Sequence, residues 1–499
     1  MEDSIQVMTD QFAFLNSLSL LSNDENQAFS LLLTDGDELK VEQIVRRVPY
    51  KRLVCKGIWK EQAVYAKLFI GKYARRYAQR DVQGVKALIA ANIATPKICL
   101  VDKLSNIEVL IFKAITQGQN VESIWAQSNA SQRLALACAL VQTLGHHHHA
   151  SLMQTDLYLK NFLFDGQQLY TIDGDGIRQY DSISHQQASS NFAVLLSKFD
   201  VLDVMAWMPK LLTQYHTVNP SVELVVEKAR HLSALHRTKV ASAYANKKVF
   251  RTCTDVKVTA LRGTFYAASR AYENIDLPVT IEQLDQLVTP QKTIKSGNTC
   301  TVATAQISDA TIVIKRYNIK SVWHGLSRAL RPSRAAISWA NAHRLQLLGI
   351  ATAKPVALLE ARRFGLRGRA YILSEYIDAP DVAQYFAQTQ NNTERAEAVK
   401  NIVTLFYKLY LLQISHGDMK STNIKMQGSQ PVLIDLDSMH QHAFINQAAH
   451  ARDLQRFMRN WQNDNALYNA FVKTFKVVYP DDSMLIKAGI KTNKEIISQ

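Results

Sequence analysis

His416-Gly417-Asp418-Met419-Lys420, followed by Asn423 and then by Leu433-Ile434-Asp435-Leu436-Asp437, is the stretch on which the reading of this chain turns. A second version stands earlier: Gln154-Thr155-Asp156-Leu157, then Asn161, then Thr171-Ile172-Asp173-Gly174-Asp175. In both, Asn follows the first Asp by five residues and the next Asp by seventeen, and the versions lie 262 residues apart at all three positions. A signature repeated at one constant offset implies two like domains in the polypeptide.

An Asp loop with Asn five residues on, leading to an Asp behind an apolar strand, is the catalytic-loop and metal-Asp pattern of a protein-kinase-like phosphotransferase. That chemistry needs a carboxylate to orient the acceptor hydroxyl, magnesium to neutralise the triphosphate of ATP, and a cation on the inner phosphates. In the C-terminal copy Asp418 is the acceptor-facing carboxylate, Asn423 and Asp435 are the magnesium ligands, and Lys420 neutralises the transferred phosphate. Lys315 closes the β-branched run Thr311-Ile312-Val313-Ile314, 103 residues before Asp418, and is the candidate for gripping the inner phosphates. The N-terminal copy offers Asp156, Asn161, Asp173 and, 89 residues before Asp156, Lys67. Gly57 and Gly297, each alone in an expected hairpin, are the candidates for the nucleotide loops; no Gly-x-Gly-x-x-Gly is present. Asp175 and Asp437, each two residues past the metal Asp, either support the site or face solvent. The run His146-His147-His148-His149 lies at a helix end and reads as structural rather than metal-binding.

Working outward, 499 residues exceed one ordinary core. The composition, 47% hydrophobic and 20% charged, excludes a disordered or fibrous chain. A net charge of +15 points to an anionic partner. Basic residues gather in three stripes: Lys72, Arg75, Arg76 and Arg80; Lys315, Arg316, Lys320, Arg328, Arg331 and Arg334; and Arg362, Arg363, Arg367 and Arg369. Each stripe reads either as a solvated face or as an anion-binding surface. No aromatic-interleaved nucleic-acid module is present, so nucleic acid is not an expected partner. Five scattered cysteines without a Cys-x-x-Cys pair suit a reducing compartment. The acidic start Met1-Glu2-Asp3-Ser4 lacks the layout of a signal peptide. No apolar run reaches the roughly 18 residues of a membrane span, so a soluble or peripheral protein is expected.

The expected architecture is α+β: two tandem protein-kinase-like domains, each with a small strand-rich N-lobe and a mainly helical C-lobe. Residues 1–45 read as a helical lead-in, 46–245 as the first domain, and 246–499 as the second with a helical tail. Leu53–Trp59 and Ala63–Phe69 are expected to form a hairpin carrying Lys67, and Tyr73 to Asn92 a helix. A second helix, Leu134 to His149, delivers the chain to the Asp156 loop. The second half repeats the order, with helices from Pro332 to Leu348 and from Ala396 to Gln413. Asp435 is followed within about twenty residues by the helix at Ala451–Phe457, too short an interval for the peptide platform of ordinary protein kinases. That favours a non-protein acceptor.

These residues resemble the bacterial lipopolysaccharide kinase family, which includes Kdo and heptose kinases. The resemblance runs from about Arg46 to Trp461. It is densest in Val313-Ile-Lys-Arg-Tyr-Asn318, Arg331-Pro-Ser-Arg334, Ser338-Trp-Ala-Asn-Ala-His-Arg-Leu345, Gly349-Ile-Ala-Thr352 and the two motifs quoted first, and it ends in Arg452-Asp453 and Arg456-Phe-Met-Arg-Asn-Trp461. It implies a two-lobed fold, ATP and magnesium, a sugar hydroxyl of the lipopolysaccharide core as acceptor, and work at the cytoplasmic face of the inner membrane. Departures are specific. The helix acid that kinase folds pair with the strand lysine falls on Asp81 in the first copy and on Ser338 in the second. The first copy has Gln154 for the loop His and Tyr158 for the loop Lys, with Lys160 nearby, and Asn191 where the second has Asp453. The C-terminal copy is therefore the expected catalyst. Two other readings stay open: a regulatory or scaffolding protein built on pseudokinase domains, and a protein or small-metabolite kinase.

Overall fold

The β-branched and aromatic runs around the two lysines pair as antiparallel sheets, one in each half of the chain. The computed structural model describes residues 11–20, 28–261, 263–289, 293–296, 300–317, 331–363 and 366–491. The chain divides into two units, Met1–Phe199 with Asp203–Ser233, and Asp200–Leu202 with Ala234–Gln499. The division at 233/234 falls earlier than the expected 245/246.

The first unit is built on a six-stranded sheet. Its strands are β1 (Phe29–Leu32), β2 (Glu38–Val48), β3 (Arg52–Trp59), β4 (Gln62–Ile70), β5 (Ile98–Leu104) and β6 (Ile107–Lys113), in the order β1-β2-β3-β4-β6-β5. The alternation in β4 decides its two faces. Val64, Ala66 and Leu68 point into a core with Leu15 and Leu18, while Phe69, two residues past Lys67, packs with Ala74, Ala78 and Val85 of helix α1 (Ala74–Ala90). Lys67 therefore faces α1. Residues 29–45, expected as helical lead-in, include β1 and the start of β2. Register shifts between Val41 and Gln43 and between Ile44 and Arg46 break the period of two that would have announced β2. Only residues 11–18 of that region are helical among those described.

Beyond the sheet, α2 (Ala130–His149), opened by an Asn129–Gln132 capping box, runs to the Asp156 loop. β7 (Phe162–Phe164) and β8 (Leu169–Thr171) bracket the loop between Asn161 and Asp173, and α3 (His185–Leu196) carries Asn191. Leu140, Leu144, Phe162, Phe192 and Leu195 form the buried centre of this helical part.

The second unit has a seven-stranded sheet of β9 (Val256–Leu261), β10 (Thr264–Ser269), β11 (Thr293–Ser296), β12 (Cys300–Ile307), β13 (Ala310–Tyr317), β14 (Pro355–Arg363) and β15 (Leu366–Glu375), in the order β9-β10-β14-β15-β13-β12-β11. Ile312 and Ile314 face one core, with Leu284 of α4 (Ile281–Leu287). Tyr317 faces the other, with Ala335, Ala336 and Trp339 of α5 (Arg334–Leu347). Lys315, in phase with Tyr317, lies on the α5 side. α6 (Asn392–Leu411), α7 (Gln447–Met458) and α8 (Asn465–Val478) enclose the largest core, centred on Phe406, Phe457 and Phe475. Between α6 and α7 the hairpin β16 (Ile424–Gln427) and β17 (Gln430–Leu433) spans the loop from Asn423 to Asp435. Leaving out the strands added at either edge, both sheets have the arrangement of a kinase small lobe: a three-strand meander, a helix, and two strands that return with the last beside the lysine strand. Among the described residues no helix is long and apolar enough to cross a membrane.

Candidate active site

Each strand lysine reaches the candidate metal Asp of its own unit. Lys67 Nζ lies 3.0 Å from Asp173 Oδ1, and Lys315 Nζ lies 2.5 Å from Asp435 Oδ1. Both aspartates begin a single 3₁₀ turn in the left-handed region, at φ +70° and +61°. Asp tolerates that conformation better than most residues, and a strained backbone at a charged turn is characteristic of functional sites.

The second carboxylate on each lysine has a different origin in the two units. In the first, α1 supplies it: Asp81 Oδ2 is 2.5 Å from Lys67, and Asp81 is fully buried. Burial raises the Asp81 carboxyl above its ordinary range, with Lys67 pulling the other way. In the second unit, the helix position identified from sequence is Ser338, as expected, and the acid comes from the metal-Asp turn itself. Asp437 Oδ2 is 3.0 Å from Lys315, 2.9 Å from Arg334 Nη2 and 3.0 Å from the Tyr317 hydroxyl, which also meets Ser338 Oγ at 3.1 Å. Burial pushes the Asp437 carboxyl up, but Lys315 and Arg334 outweigh it and hold it below its ordinary value. Asp175, the counterpart of Asp437, pairs with Arg80 of α1 at 3.0 Å. Asp437 thus faces inward rather than to solvent. Sequence reasoning missed Arg334 as its partner; the available signal was a cation at the first position of a helix that lacks its acid.

The loop of Asp418, the candidate acceptor-facing carboxylate, is also assembled. Asn423 Nδ2 donates to the Asp418 carbonyl at 2.8 Å, as Asn161 does to Asp156 at the same distance. Asp418 meets Lys420 Nζ at 3.3 Å and Arg456 Nη1 at 3.0 Å. Arg456 was not singled out from sequence as a site residue. Its signal is the spacing of three from Asp453, which puts both on one face of α7. Asp453 accepts the backbone N–H groups of His416 and Gly417 at 2.6 and 3.0 Å and so fixes the loop. Gly417 has φ +78°, and a Cβ there would lie 2.4 Å from the Ser438 carbonyl oxygen, so no other residue fits.

In the first unit Asn191 donates to the Gln154 carbonyl at 2.9 Å, and neither amide atom of the buried Gln154 finds a hydrogen-bond partner among the described residues. Two residues past Asp156, the ring of Tyr158 lies under Lys198 at 4.1 Å and Lys160 at 5.1 Å. Burial lowers the Lys198 amine, Asp156 raises it, and Lys160 lowers it further. Arg52, the first residue of β3, stands 3.6 Å from Asp173, so that carboxylate meets a second cation. Burial pushes the Asp173 carboxyl up, and Lys67 and Arg52 bring it below its ordinary value.

One candidate, Gly57, lies in a strand and not in a turn. Gly57 sits inside β3, where a Cβ would lie 2.1 Å from the Lys40 carbonyl oxygen; it permits close approach of β2. The β3–β4 turn is made instead by Lys60 and Glu61, both at positive φ, and the β2–β3 connection by the stretch containing Tyr50 at φ +57°. Gly297 lies outside the described residues, as do Lys320 and Arg328 of the second basic stripe. Part of the stripes is matched by acids within the fold. Arg316 and Arg369 pair with Asp285, and Arg362 and Arg367 with the fully buried Glu360. Of the histidine run, His147 and His148 are buried; His147 bonds Thr171, and His148 bonds Tyr215 and Asn191. Among the described residues no group of three or more His, Cys, Asp or Glu could hold a metal. Magnesium at this kind of site takes one or two protein oxygens plus phosphates. Asp435 and the Asn423 amide oxygen, on the arm opposite the Nδ2 that bonds Asp418, fit that donor set.

Residues 286–479, which include β13, α5, the Asp418 loop and the Asp435 turn, match the lipopolysaccharide kinase (Kdo/WaaP) family. That match lies within the second unit and covers less than half of the chain. The protein is therefore a kinase, a phosphotransferase, and ATP use comes with the Kdo/WaaP assignment. No curated protein matches the chain. Among solved structures it is similar to one described as "WaaP in complex with acyl carrier protein", at 15% identity and TM-score 0.33, covering 44% of this chain and 92% of that one. It is also similar to vaccinia related kinase 3, at 11% identity and TM-score 0.28, covering 48% and 96%.

Proposed function

We propose that the second unit transfers the γ-phosphoryl group of ATP to a sugar hydroxyl of the lipopolysaccharide core, with Asp418 facing the acceptor. The observation that carries this reading is the meeting of Lys315 and Asp435 in the same unit as the Asp418–Asn423 loop, within the stretch that matches the Kdo/WaaP family. Asp435 and Asn423 would hold magnesium, which would supply charge neutralisation on the phosphates. The chain's own groups do the rest. Asp418 orients the hydroxyl and takes its proton. Lys420 and Arg456, both on the Asp418 carboxylate, stand ready for the negative charge of the arriving phosphate. The net charge of +15 suits an acceptor carried in an anionic membrane, so a peripheral place at the cytoplasmic face of the inner membrane is part of the proposal.

The test is transfer of radiolabelled phosphate from ATP to purified core lipopolysaccharide by the full chain and by Asp418→Ala. A loss of about a hundredfold or more is expected for removal of a general base; undiminished transfer by the variant rejects the assignment. For the first unit we propose a regulatory or residual role. The observations that favour it are Arg52 on Asp173 and the unsatisfied amide of Gln154.

A further inference from the structure

In kinase folds the strand lysine works only when a helix acid holds it toward the phosphates. The second unit lacks that acid: no Asp or Glu occurs in α5, and Ser338 stands where it would be. Yet Lys315 has two carboxylate partners, Asp435 at 2.5 Å and Asp437 at 3.0 Å, both from one turn. Only one is free for other duties. Asp435 has a third of its side chain exposed, as a metal ligand requires, whereas Asp437 has 3%. Asp437 is also anchored from behind by Arg334 and by the Tyr317 hydroxyl, which Ser338 in turn engages. A carboxylate so shielded, with one oxygen accepting from three donors, is a fixed positioning group.

We propose that Asp437 is the residue that positions Lys315 for the nucleotide in the second unit, replacing the helix acid, with Arg334 and Tyr317–Ser338 holding it in place. The first unit supplies the internal contrast. There the helix acid Asp81 is present, and the counterpart Asp175 pairs with Arg80 instead of the lysine. In both units the helix brings an arginine to the turn's second Asp, but only in the first does it also bring the acid for the lysine. This arrangement also changes what keeps the lysine in place. The lysine and both its acids are fixed by β13 and a single turn, so the pairing does not require a separate acid to swing in on α5.

The inference rests on the reading of this unit as the nucleotide site, and its test separates the two. The full chain is treated with an amine-selective reagent, and modification of Lys315 and Lys67 is followed peptide by peptide by mass spectrometry, without nucleotide and across an ATP titration, with and without magnesium. In Asp437→Asn the nucleotide-free reactivity of Lys315 is expected to rise several-fold. The ATP concentration that half-protects Lys315 should rise about tenfold, as for loss of one charged hydrogen bond. Both effects should occur with or without magnesium, with Lys67 unchanged. Adding Ser338→Glu to that variant is expected to recover part of the protection, which a merely structural loss would not permit. Tyr317→Phe, which keeps the ring and removes one donor to Asp437, should shift both readouts in the same direction by less, and covers the case in which Asp437→Asn does not fold. Unchanged reactivity and protection overturn the proposal. So does a shift confined to magnesium-loaded ATP, which would make Asp437 a metal ligand. If ATP fails to protect Lys315 in the unaltered chain, the kinase site falls, while the reactivity arm still decides whether Asp437 holds the lysine.

Discussion

Asp435 combines two demands on one residue: a left-handed backbone and a charged side chain. Its φ of +61° is affordable to Asn as well as Asp, so Asp435→Asn should fold while losing its metal-binding charge. The magnesium-dependent part of ATP-induced thermal stabilisation is expected to fall in this variant and to vanish in the Asp173→Asn, Asp435→Asn double variant; a magnesium effect surviving in the double variant would show that the metal is held elsewhere. The candidate site residues could be picked out in the sequence because their relation is one of spacing: five and seventeen residues along the chain. Arg334, Arg456 and Arg52 were not, because each meets its carboxylate across more than thirty residues, on a different element. The inward placement of Asp437 was open in the sequence for the same reason, since an Asp two residues from a metal ligand can point either way out of a 3₁₀ turn.

The helix that flanks each lysine is fastened to the metal-Asp turn by a different chemistry in the two units. In the first, α1 and the turn touch backbone to backbone: a Cβ on Gly84 would lie 2.0 Å from the Gly174 carbonyl oxygen, and one on Gly174 2.3 Å from that of Asp81. In the second, Asn341 of α5 reaches over and donates through Nδ2 to the carbonyls of Leu436 and Met439, both at 2.9 Å. Gly84→Ala is therefore expected to destabilise the first unit by about 3 kcal/mol, at the upper end of overpacking costs because backbone must move. Asn341→Ala should cost the second unit about 2 kcal/mol by leaving two buried carbonyls unpaired. Urea denaturation of the full chain with a probe in each unit checks both, and a cost below about 0.5 kcal/mol, the range of ordinary surface changes, would refute either contact. At this scale the sequence was readable wherever period held. Helices α1, α2, α5 and α6 fall within a few residues of their expected ends, while β2, interrupted by two bulges, went unread.

Across the whole molecule, buried neutral histidines set the pH response. Burial depresses His147 to about 3 and His148 to about 4 in the first unit, and His343 to about 4 and His450 to about 3 in the second. Unfolded histidine takes its proton near pH 6.5, so below that pH the unfolded chain binds more protons and stability falls as pH falls. Each group is expected to remove about 2 kcal/mol between pH 7 and pH 5. Denaturant midpoints measured at both values should drop for both units, and a flat profile would mean that these rings open to solvent. The net charge of +15 invites an electrostatic account of the surface, yet Arg316, Arg334, Arg362, Arg367, Arg369 and Arg456 each have an acidic partner. Composition records how many charges there are, not which of them the fold has already matched.

The different source of the lysine's second acid in the two units carries a consequence for heredity. Two copies of one signature within a single gene are targets for recombination, which tends to homogenise them. A chimera joining the helix of the first copy to the turn of the second would bring Asp81, Asp435 and Asp437 to one lysine, with Tyr77 at the position of Arg334 and Arg80 left as the cation for Asp437. The reciprocal chimera would leave Asp175 facing Arg334 across a helix without its acid. The first product offers one lysine two carboxylates beyond Asp435 and the second only Asp175, so an exchange of parts alters the charge around the lysine in either direction.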